Sequence, residues 1–599
     1  MFQRPYVWNK TKHWEPLWDD VRTTTERYLR QRRSSGGGSS VEAEQRTVPH
    51  FLGAIVVDQV PTDTLDVEAR HVIDGQQRLT TLQLLLDSVQ EVLSAHGLTR
   101  DAKLLSKLVL NDEDVVTRPD DCFKVWPTSV DQEAFRAAMD DTADATAHRG
   151  TPIADAHRFF RQQAEEWLSA EGDLDERGAA LSTALHGLFQ LVVIDLEPHD
   201  NAQVIFETLN ARGTPLLAAD LVKNYVMQSA LRSGLDAEAI YGEFWEVFDG
   251  PYWRHEIKQG RLTRPRIDML LDYWLELQSG DEVPAHDVFP EFRRHMDRVS
   301  RDVLAVVQAV ARDAAVYVQL QNDRSRTPEG IFLYRWEAME NQVVTPLLLW
   351  LFGQPVDLLS VEQRRLALRS IESFLVRRMV ARRTTKNYNR LFLEALAHVK
   401  SGEVHDAGTR LTSFLAGQTA DANSWPSDTE FATAFVTEPS YSRLKRARLR
   451  MILEALEDDL RSPRTEDQYV TRGSLTIEHL MPQGWTPAAW PLPGDSDSTA
   501  ETLVRNRLLQ TVGNLTLVTS RLNPELSHGP WEHKRPRIDE HGVLRLHSGF
   551  KNSNTWNEEL IVSRSGALAQ RAIAIWPHPE SAPADIPSIV TRALSSILE

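Results

Sequence analysis

A single cysteine, Cys122, in 599 residues leaves the chain no disulfide framework and no thiolate metal cluster. Folding must then rest on hydrophobic cores. A chain this long exceeds what one core can serve, so several domains are expected. The cysteine usage suits a reducing cytoplasm. The N-terminus, Met-Phe-Gln-Arg-Pro-Tyr-Val-Trp, has no apolar run of the kind a signal peptide needs. The mostly apolar stretch Val343 to Phe352 is about half the roughly 20 residues that span a bilayer, so no membrane partner is expected.

Hydrophobic residues at 41% and charged ones at 25% are ordinary for a globular protein. Arg33 to Ser40 is a low-complexity flexible loop. Two runs rich in β-branched residues, Phe51 to Val57 and Leu191 to Leu196, have the length of buried strands. Thr80 to Leu93 carries its leucines and valines at helical spacing. From about Ala237 to Val399 the pattern is helical, with Leu347 to Leu351 and Leu366 to Val380 as buried faces. Gly402 to Pro426 is Gly/Ser/Asp-rich and reads as a linker. The remainder mixes strand and helix signals, and no repeat period is visible. The expectation is an α+β multidomain protein: an α/β domain over residues 1–236, a helical middle with its linker over 237–426, and a small α/β domain over 427–599.

A net charge of −18 argues against a nucleic-acid partner only globally, because phosphate contacts depend on local patches. Two basic runs qualify. One holds Arg377, Arg378, Arg382, Arg383, Lys386 and Arg390; the other holds Arg443, Lys445, Arg446, Arg448 and Arg450. A solvated helix face is the plainer reading of each.

Near the C-terminus, Leu475-Thr476-Ile477-Glu478-His479-Leu480-Met481-Pro482 is a β-rich run containing an acid-histidine pair. Gly513-Asn514-Leu515-Thr516-Leu517-Val518 follows as a second strand, and Thr519 or Ser520 can cap a helix bearing Asn523. That order brings His479 and Asn523 to opposite sides of one small cleft. Phosphodiester hydrolysis needs a base for water and a metal for the leaving oxyanion. His479 suits the first task. Glu478 and Asn523 are hard oxygen donors, suited to Mg²⁺ or Mn²⁺. Successive strand residues point to opposite faces, so Glu478 and His479 share a site only where the strand ends, and Pro482 provides such a break.

These residues resemble the HNH (His-Me finger) nucleases, through Ile477 to Gln483 (I-E-H-L-M-P-Q), Gly513 to Leu517 (G-N-L-T-L) and Leu522 to Lys534 (L-N-P-E-L-S-H-G-P-W-E-H-K). The resemblance implies a ββα-metal fold. It implies His479 as general base, Glu478 and Asn523 as metal ligands, Asn514 orienting the catalytic loop or the histidine, and Lys534 on phosphate. The family usually has Asn where His528 stands; histidine can also ligate a divalent ion.

At the other end, Val72 to Thr81 (V-I-D-G-Q-Q-R-L-T-T) ends a strand and opens a helix. Gly75 permits a tight turn, the helix N-terminus offers N–H groups to phosphate, and Arg78 is a bidentate partner. No Walker A loop occurs in the chain. Phe206 to Leu216, continuing to Asp220, Lys223 and Asn224, offers Asn210, Arg212 and Lys223 to phosphate. Phe2, Arg4, Tyr6 and Trp8 share one face of an extended segment, where aromatics around an arginine could stack on a base or enclose an unusual group on DNA. A polar cap, a plain loop and core packing are the respective alternatives.

Together these segments resemble a sensor domain marked by D-G-Q-Q-R. The resemblance implies a ParB-like fold and hydrolysis of a nucleoside triphosphate, GTP or ATP. Asp74, Gln76, Gln77 and Arg78 become its nucleotide and catalytic residues, and Asn210, Arg212, Asp220 and Lys223 a supporting ring. Relatives carry a segment with a strand before the first motif, so a missing sheet edge or a late start is expected here. The two ends combined resemble GmrSD-type modification-dependent (type IV) restriction enzymes and the SspE-like effectors of phosphorothioate defence. That implies an anti-phage endonuclease acting on double-stranded DNA, with Arg4, Tyr6 and Trp8 sensing a modified base or a sulfur in the backbone. Self-association as a homo-oligomer is allowed. The rival reading is a nucleotide-gated DNA-binding regulator with an inactive nuclease fold.

Overall fold

The structure is a computed structural model. It describes residues 5–34, 40–59, 67–112, 114, 116, 118–127, 131–139, 150–196, 217–259, 262–298, 302–461, 469–470, 472–492, 499–526 and 529–598. Two compact units divide the chain, residues 1–267 and 268–599. The region expected as a helical middle, 237–426, is divided between them: 237–267 lies in the first unit, and the rest shares the second with 427–599.

In the first unit, β1 (His50–Gln59) pairs antiparallel with β2 (Arg70–Asp74) and parallel with β3 (Phe189–Leu196), in the order β2-β1-β3. The apolar runs Phe51 to Val57 and Leu191 to Leu196 lie inside β1 and β3, as expected, but not as fully buried strands: Phe51, Val192 and Val193 are exposed. A parallel pair needs a long crossover, and the helices Gln76–Ala95 and Pro152–Leu168 lie within it. Leu84, Leu85, Val89, Val92 and Leu93 of the first helix share one core with Ile153, Ala156, Phe160 and Ala164 of the second. Gly75 joins β2 to the first helix at φ +93°, and a Cβ there would lie 2.5 Å from Ile55 Cγ2. Only glycine meets both the dihedral and the contact. A small hairpin, β4 (Glu256–Gln259) with β5 (Leu262–Pro265), interrupts the stretch read as helical.

Among its described residues, the regular structure of the second unit is helical except for β6 (Leu475–His479) and β7 (Leu515–Thr519), an antiparallel pair. Its Val303–Asn322 helix is long and apolar enough to cross a membrane by length and composition, which the reading of the sequence did not pick up. It buries Val303, Val306, Val307, Val310 and Leu320. Within the supposed linker, Ala407–Ala416 is a helix that buries Leu411 and Leu415. Gly408 marks close packing, since a Cβ would stand 2.2 Å from Gln363 O.

The first basic patch is only in part a surface: Arg382, Lys386 and Arg390 are exposed, whereas its first two arginines are not. Arg377 and Arg378, on the Val361–Val380 helix, are fully buried. Arg377 donates to Trp576 O at 2.6 Å, Pro426 O at 3.0 Å and Asp428 Oδ1 at 2.6 Å. Arg378 donates to Ser424 O and Ala422 O at 2.6 Å and to Thr384 O at 2.7 Å. Arg383 pairs with Glu430, and Arg390 with Glu394. These guanidiniums satisfy carbonyls where backbone leaves regular structure, and that is why the supposed linker is held rather than loose. Arg377→Met should strip Asp428 of its partner and lower stability by roughly 3–5 kcal/mol. A drop in the thermal midpoint by calorimetry checks this; an unchanged midpoint would show that the network is dispensable.

Candidate functional site

Strand β6 reads Leu-Thr-Ile-Glu-His and is followed at Pro482 by a residue that cannot donate to a ladder. It pairs with β7 in the register Glu478↔Thr516 and His479↔Leu515. His479 is the last strand residue and, like Glu478, is still paired in the ladder, so the alternation that sends successive side chains to opposite faces holds between the two. Each is 7% exposed.

Lys534 comes in from the Trp531–His541 helix. Its Nζ donates to Glu478 Oε1 at 2.6 Å and to His479 O at 2.7 Å. It was expected on phosphate; instead it is buried against a carboxylate, as a charge removed from water requires. Burial pushes its ammonium below the usual lysine range, against the pull of Glu478. Burial also pushes the His479 imidazole down to about 3, and the cations of Lys534 and Arg446 act in the same direction. The ring is therefore neutral at neutral pH, and a proton taken up there is weakly held. Gln483 Nε2 lies 3.2 Å from Nε2 and 3.5 Å from Nδ1 of that ring. Tyr441 meets it edge-on, 4.2 Å between centroids.

Asn514 is fully buried and grips the loop that follows His479. Its Oδ1 accepts from Met481 N at 2.8 Å and Trp556 Nε1 at 3.0 Å. Its Nδ2 donates to Met481 O at 2.8 Å and Leu509 O at 3.1 Å. Gly513 is required by close approach: a Cβ would lie 2.0 Å from Ile561 O of the Glu558–Ile575 helix. Arg564 of that helix donates to Gly513 O at 2.6 Å and Leu515 O at 2.8 Å, fixing the backbone on both sides of Asn514. Asn523, on Leu522–Leu526, donates Nδ2 to Thr476 Oγ1 at 3.0 Å and to Ile477 O at 3.4 Å, which ties its helix to β6. His528 lies outside the described residues.

In the first unit, Asp74-Gly75-Gln76-Gln77-Arg78 does bridge a strand and a helix, but its side chains go to different places. Asp74 ends β2 opposite Val56. Gln76 lines a cavity of about 570 Å³ with His71, Arg118 and Lys124. Gln77, expected at nucleotide, is buried and holds the N-terminal segment: Oε1 accepts from Val7 N at 2.8 Å and Nε2 donates to Pro5 O at 3.2 Å. Arg78 donates to Ala54 O and lines a second cavity, about 240 Å³, with Trp8, Lys12, His13 and His50. Tyr6, expected beside Trp8 on a DNA-facing surface, is in the core instead. Its hydroxyl shares a 2.7 Å hydrogen bond with Thr81 Oγ1 and accepts from Trp14 Nε1 at 3.0 Å, and burial raises it to about 12. Trp8 is half-buried and stacked on His13. Arg4, Asn210 and Arg212 lie outside the described residues.

Asp220 and Lys223, on the Ala218–Arg232 helix, are buried in an ion network rather than at a phosphate site. Lys223 Nζ donates to both Asp249 oxygens at 3.1 and 3.0 Å, and Arg254 bridges Asp249 and Asp220. Two acids and two bases cancel, which makes their burial tolerable. A separate acid-histidine group, Asp87, Glu91 and His157, brings its ligand atoms within 4.8 Å of one another.

Both ends of the chain match known families. The N-terminal domain of the GmrSD restriction endonuclease matches residues 1–227, and the C-terminal domain of the GmrSD restriction endonucleases matches residues 425–571. The chain belongs to the GmrSD-type, type IV restriction enzymes. A search of curated proteins found no match.

As a GmrSD-type restriction endonuclease, the chain is a nuclease of defence that acts on DNA. The β6–β7 site and the D-G-Q-Q-R turn each fall within a matched domain. Reading the sequence missed Tyr441, Trp556 and Arg564. They come from segments far apart along the chain, and only Gln483 stood inside a quoted motif. Asn514→Ala should strand Met481 N, Met481 O and Trp556 Nε1, costing at least about 1–3 kcal/mol and much of the DNA cleavage. Thermal denaturation and plasmid cleavage check this; a wild-type midpoint would remove Asn514 as the loop's clamp.

Proposed function

We propose that the chain is a metal-dependent HNH endonuclease, nicking or cleaving double-stranded DNA. In this reading an N-terminal domain that hydrolyses GTP or ATP and senses DNA modification governs the cutting. One observation carries the nuclease half: a neutral, buried His479 at the end of β6, on a loop held by Asn514. His479 Nδ1 or Nε2 takes the proton of the attacking water. Lys534 fixes Glu478 through one carboxylate oxygen, and Asn514 holds the loop in register.

The donor set fits a hard divalent ion. One carboxylate and one amide oxygen, with His528 proposed as a further ligand, suit Mg²⁺ or Mn²⁺, which keep several waters. When bound, such an ion would neutralise charge on the scissile phosphate and the leaving oxygen.

For the sensor, Asp74, Gln76 and Arg78 surround the start of the Gln76–Ala95 helix, whose free N–H groups suit phosphate. The cavity beside Gln76 lies within the size range of small-ligand pockets. Asn210 and Arg212 are proposed to complete it. The smaller cavity of Trp8, Lys12 and Arg78 combines an aromatic wall with cations. That suits a phosphorothioate, softer and less hydrated than phosphate, or a modified base. We also propose a cytoplasmic location, where the enzyme would meet incoming DNA.

Purified protein should nick plasmid with Mg²⁺ and lose that activity with EDTA and in His479→Ala. Equal cutting by His479→Ala and wild type would remove His479 from the chemistry. Nucleotide hydrolysis should rise with modified over unmodified duplex and fall at least about tenfold in Arg78→Ala. Identical rates on both duplexes would count against sensing by this domain.

A further inference from the structure

Beside His479 stands a cation that the hydrolytic step does not use. Arg446 is exposed at the first position of the Arg446–Leu460 helix. Its guanidinium lies flat on the Tyr441 ring, 3.4 Å from the centroid, and donates one N–H to Tyr441 O. The same Tyr441 ring meets His479 at 4.2 Å. Guanidinium, phenol and imidazole thus form a short row. Tyr441 N donates to Gln510 O at 2.9 Å, which ties the row to the segment leading into Asn514.

Two features separate Arg446 from its basic neighbours. Lys445 and Arg448 both reach Glu340, and Arg450 caps Gly473 O. Among the described residues no carboxylate pairs with Arg446; its partners are a carbonyl and a ring. Stacking fixes the plane of the guanidinium and leaves most of its five N–H donors facing outward. The helix it opens also has no side-chain N-cap and no acid in its first turn. Cations there oppose the positive end of the helix dipole, an arrangement that an arriving anion reverses.

We infer that Arg446, oriented by Tyr441, is a binding site for one backbone phosphate of the DNA strand presented to His479. The inference rests on the reading of His479 as the nuclease centre. Planar donors next to a proton acceptor match a phosphodiester, which offers charged oxygens beside the bond to be cut. The basic run around Arg446, unlike the buried Arg377 and Arg378, keeps Arg443, Lys445 and Arg446 at the surface, as a phosphate track requires.

The test uses full-length protein without divalent ion and three short duplexes: unmodified, base-modified and phosphorothioate. Fluorescence anisotropy is measured over a series of KCl concentrations. On the tightest-bound duplex, Arg446→Gln should bind roughly tenfold more weakly, with the slope of log K against log [KCl] shallower by about one. Tyr441→Leu should lose part of the affinity while keeping the slope, because the charge stays and its orientation goes. His479→Ala should bind with wild-type slope yet fail to cut plasmid in Mg²⁺. If Arg446→Gln keeps both affinity and slope while His479→Ala is inactive, the phosphate site is overturned and the nuclease reading stands. If His479→Ala cuts normally, or no duplex binds, the nuclease reading falls and the inference with it. Arg446 is exposed, so its variant should melt like wild type; a lowered midpoint would mark it as structural and overturn the inference as well.

Discussion

A carboxylate and an ammonium, Glu478 and Lys534, face each other at 2.6 Å beneath the end of a five-residue strand, both almost without solvent. Neither charge would be tolerated there alone. Together they set the depth to which the Trp531–His541 helix docks and hold the β6 end against it through the His479 carbonyl. They also fill the surroundings of His479 with low-dielectric protein and one positive charge. Both effects favour a neutral imidazole. The neutral state of His479 thus follows first from its burial and then from the Lys534 and Arg446 cations beside it.

The same principle recurs wherever this chain buries charge. Arg377 and Arg378 hold irregular backbone in the second unit, and Arg564 holds the two carbonyls flanking Asn514. Lys223, Asp249, Arg254 and Asp220 neutralise one another in the first unit. Without disulfides, the molecule uses arginine's five donors to pin the segments where helices end. Runs of basic residues are consequently poor guides to nucleic acid here. One run sends Arg377 and Arg378 into the core, and in the other Lys445 and Arg448 are taken up by Glu340.

Much was legible because it is local. A β-branched run bounded by polar residues gives β1 and β3; leucines at helical spacing give Gln76–Ala95; Gly75 must turn where a strand meets a helix. The Ile477–Gln483 and Gly513–Leu517 motifs marked a hairpin whose register then juxtaposed Glu478 with Thr516. What local pattern could not supply was the direction of individual side chains. Gln77 looks like a ligand residue in a signature motif, yet its amide bonds to Pro5 and Val7. Tyr6 alternates with Trp8 as if exposed, yet its hydroxyl bonds to Thr81 and Trp14. The helix at Ala407–Ala416 was hidden because its glycine signalled flexibility, when Gly408 is small to admit Gln363.

The sequence by itself determined the class of chemistry and its location: an acid-histidine pair at a strand's end, an asparagine on the returning strand, a glycine turn opening a helix. It also determined family membership, since those motifs depend on residue type and spacing alone. Only the tertiary structure decided which neighbours these residues meet. Lys534 turned inward to Glu478, Arg446 settled on Tyr441 beside His479, and Asp220 and Lys223 closed a network with Asp249 and Arg254. The reason is physical. The energy of a charge depends on what surrounds it within a few ångströms, and those surroundings come from segments tens to hundreds of residues away.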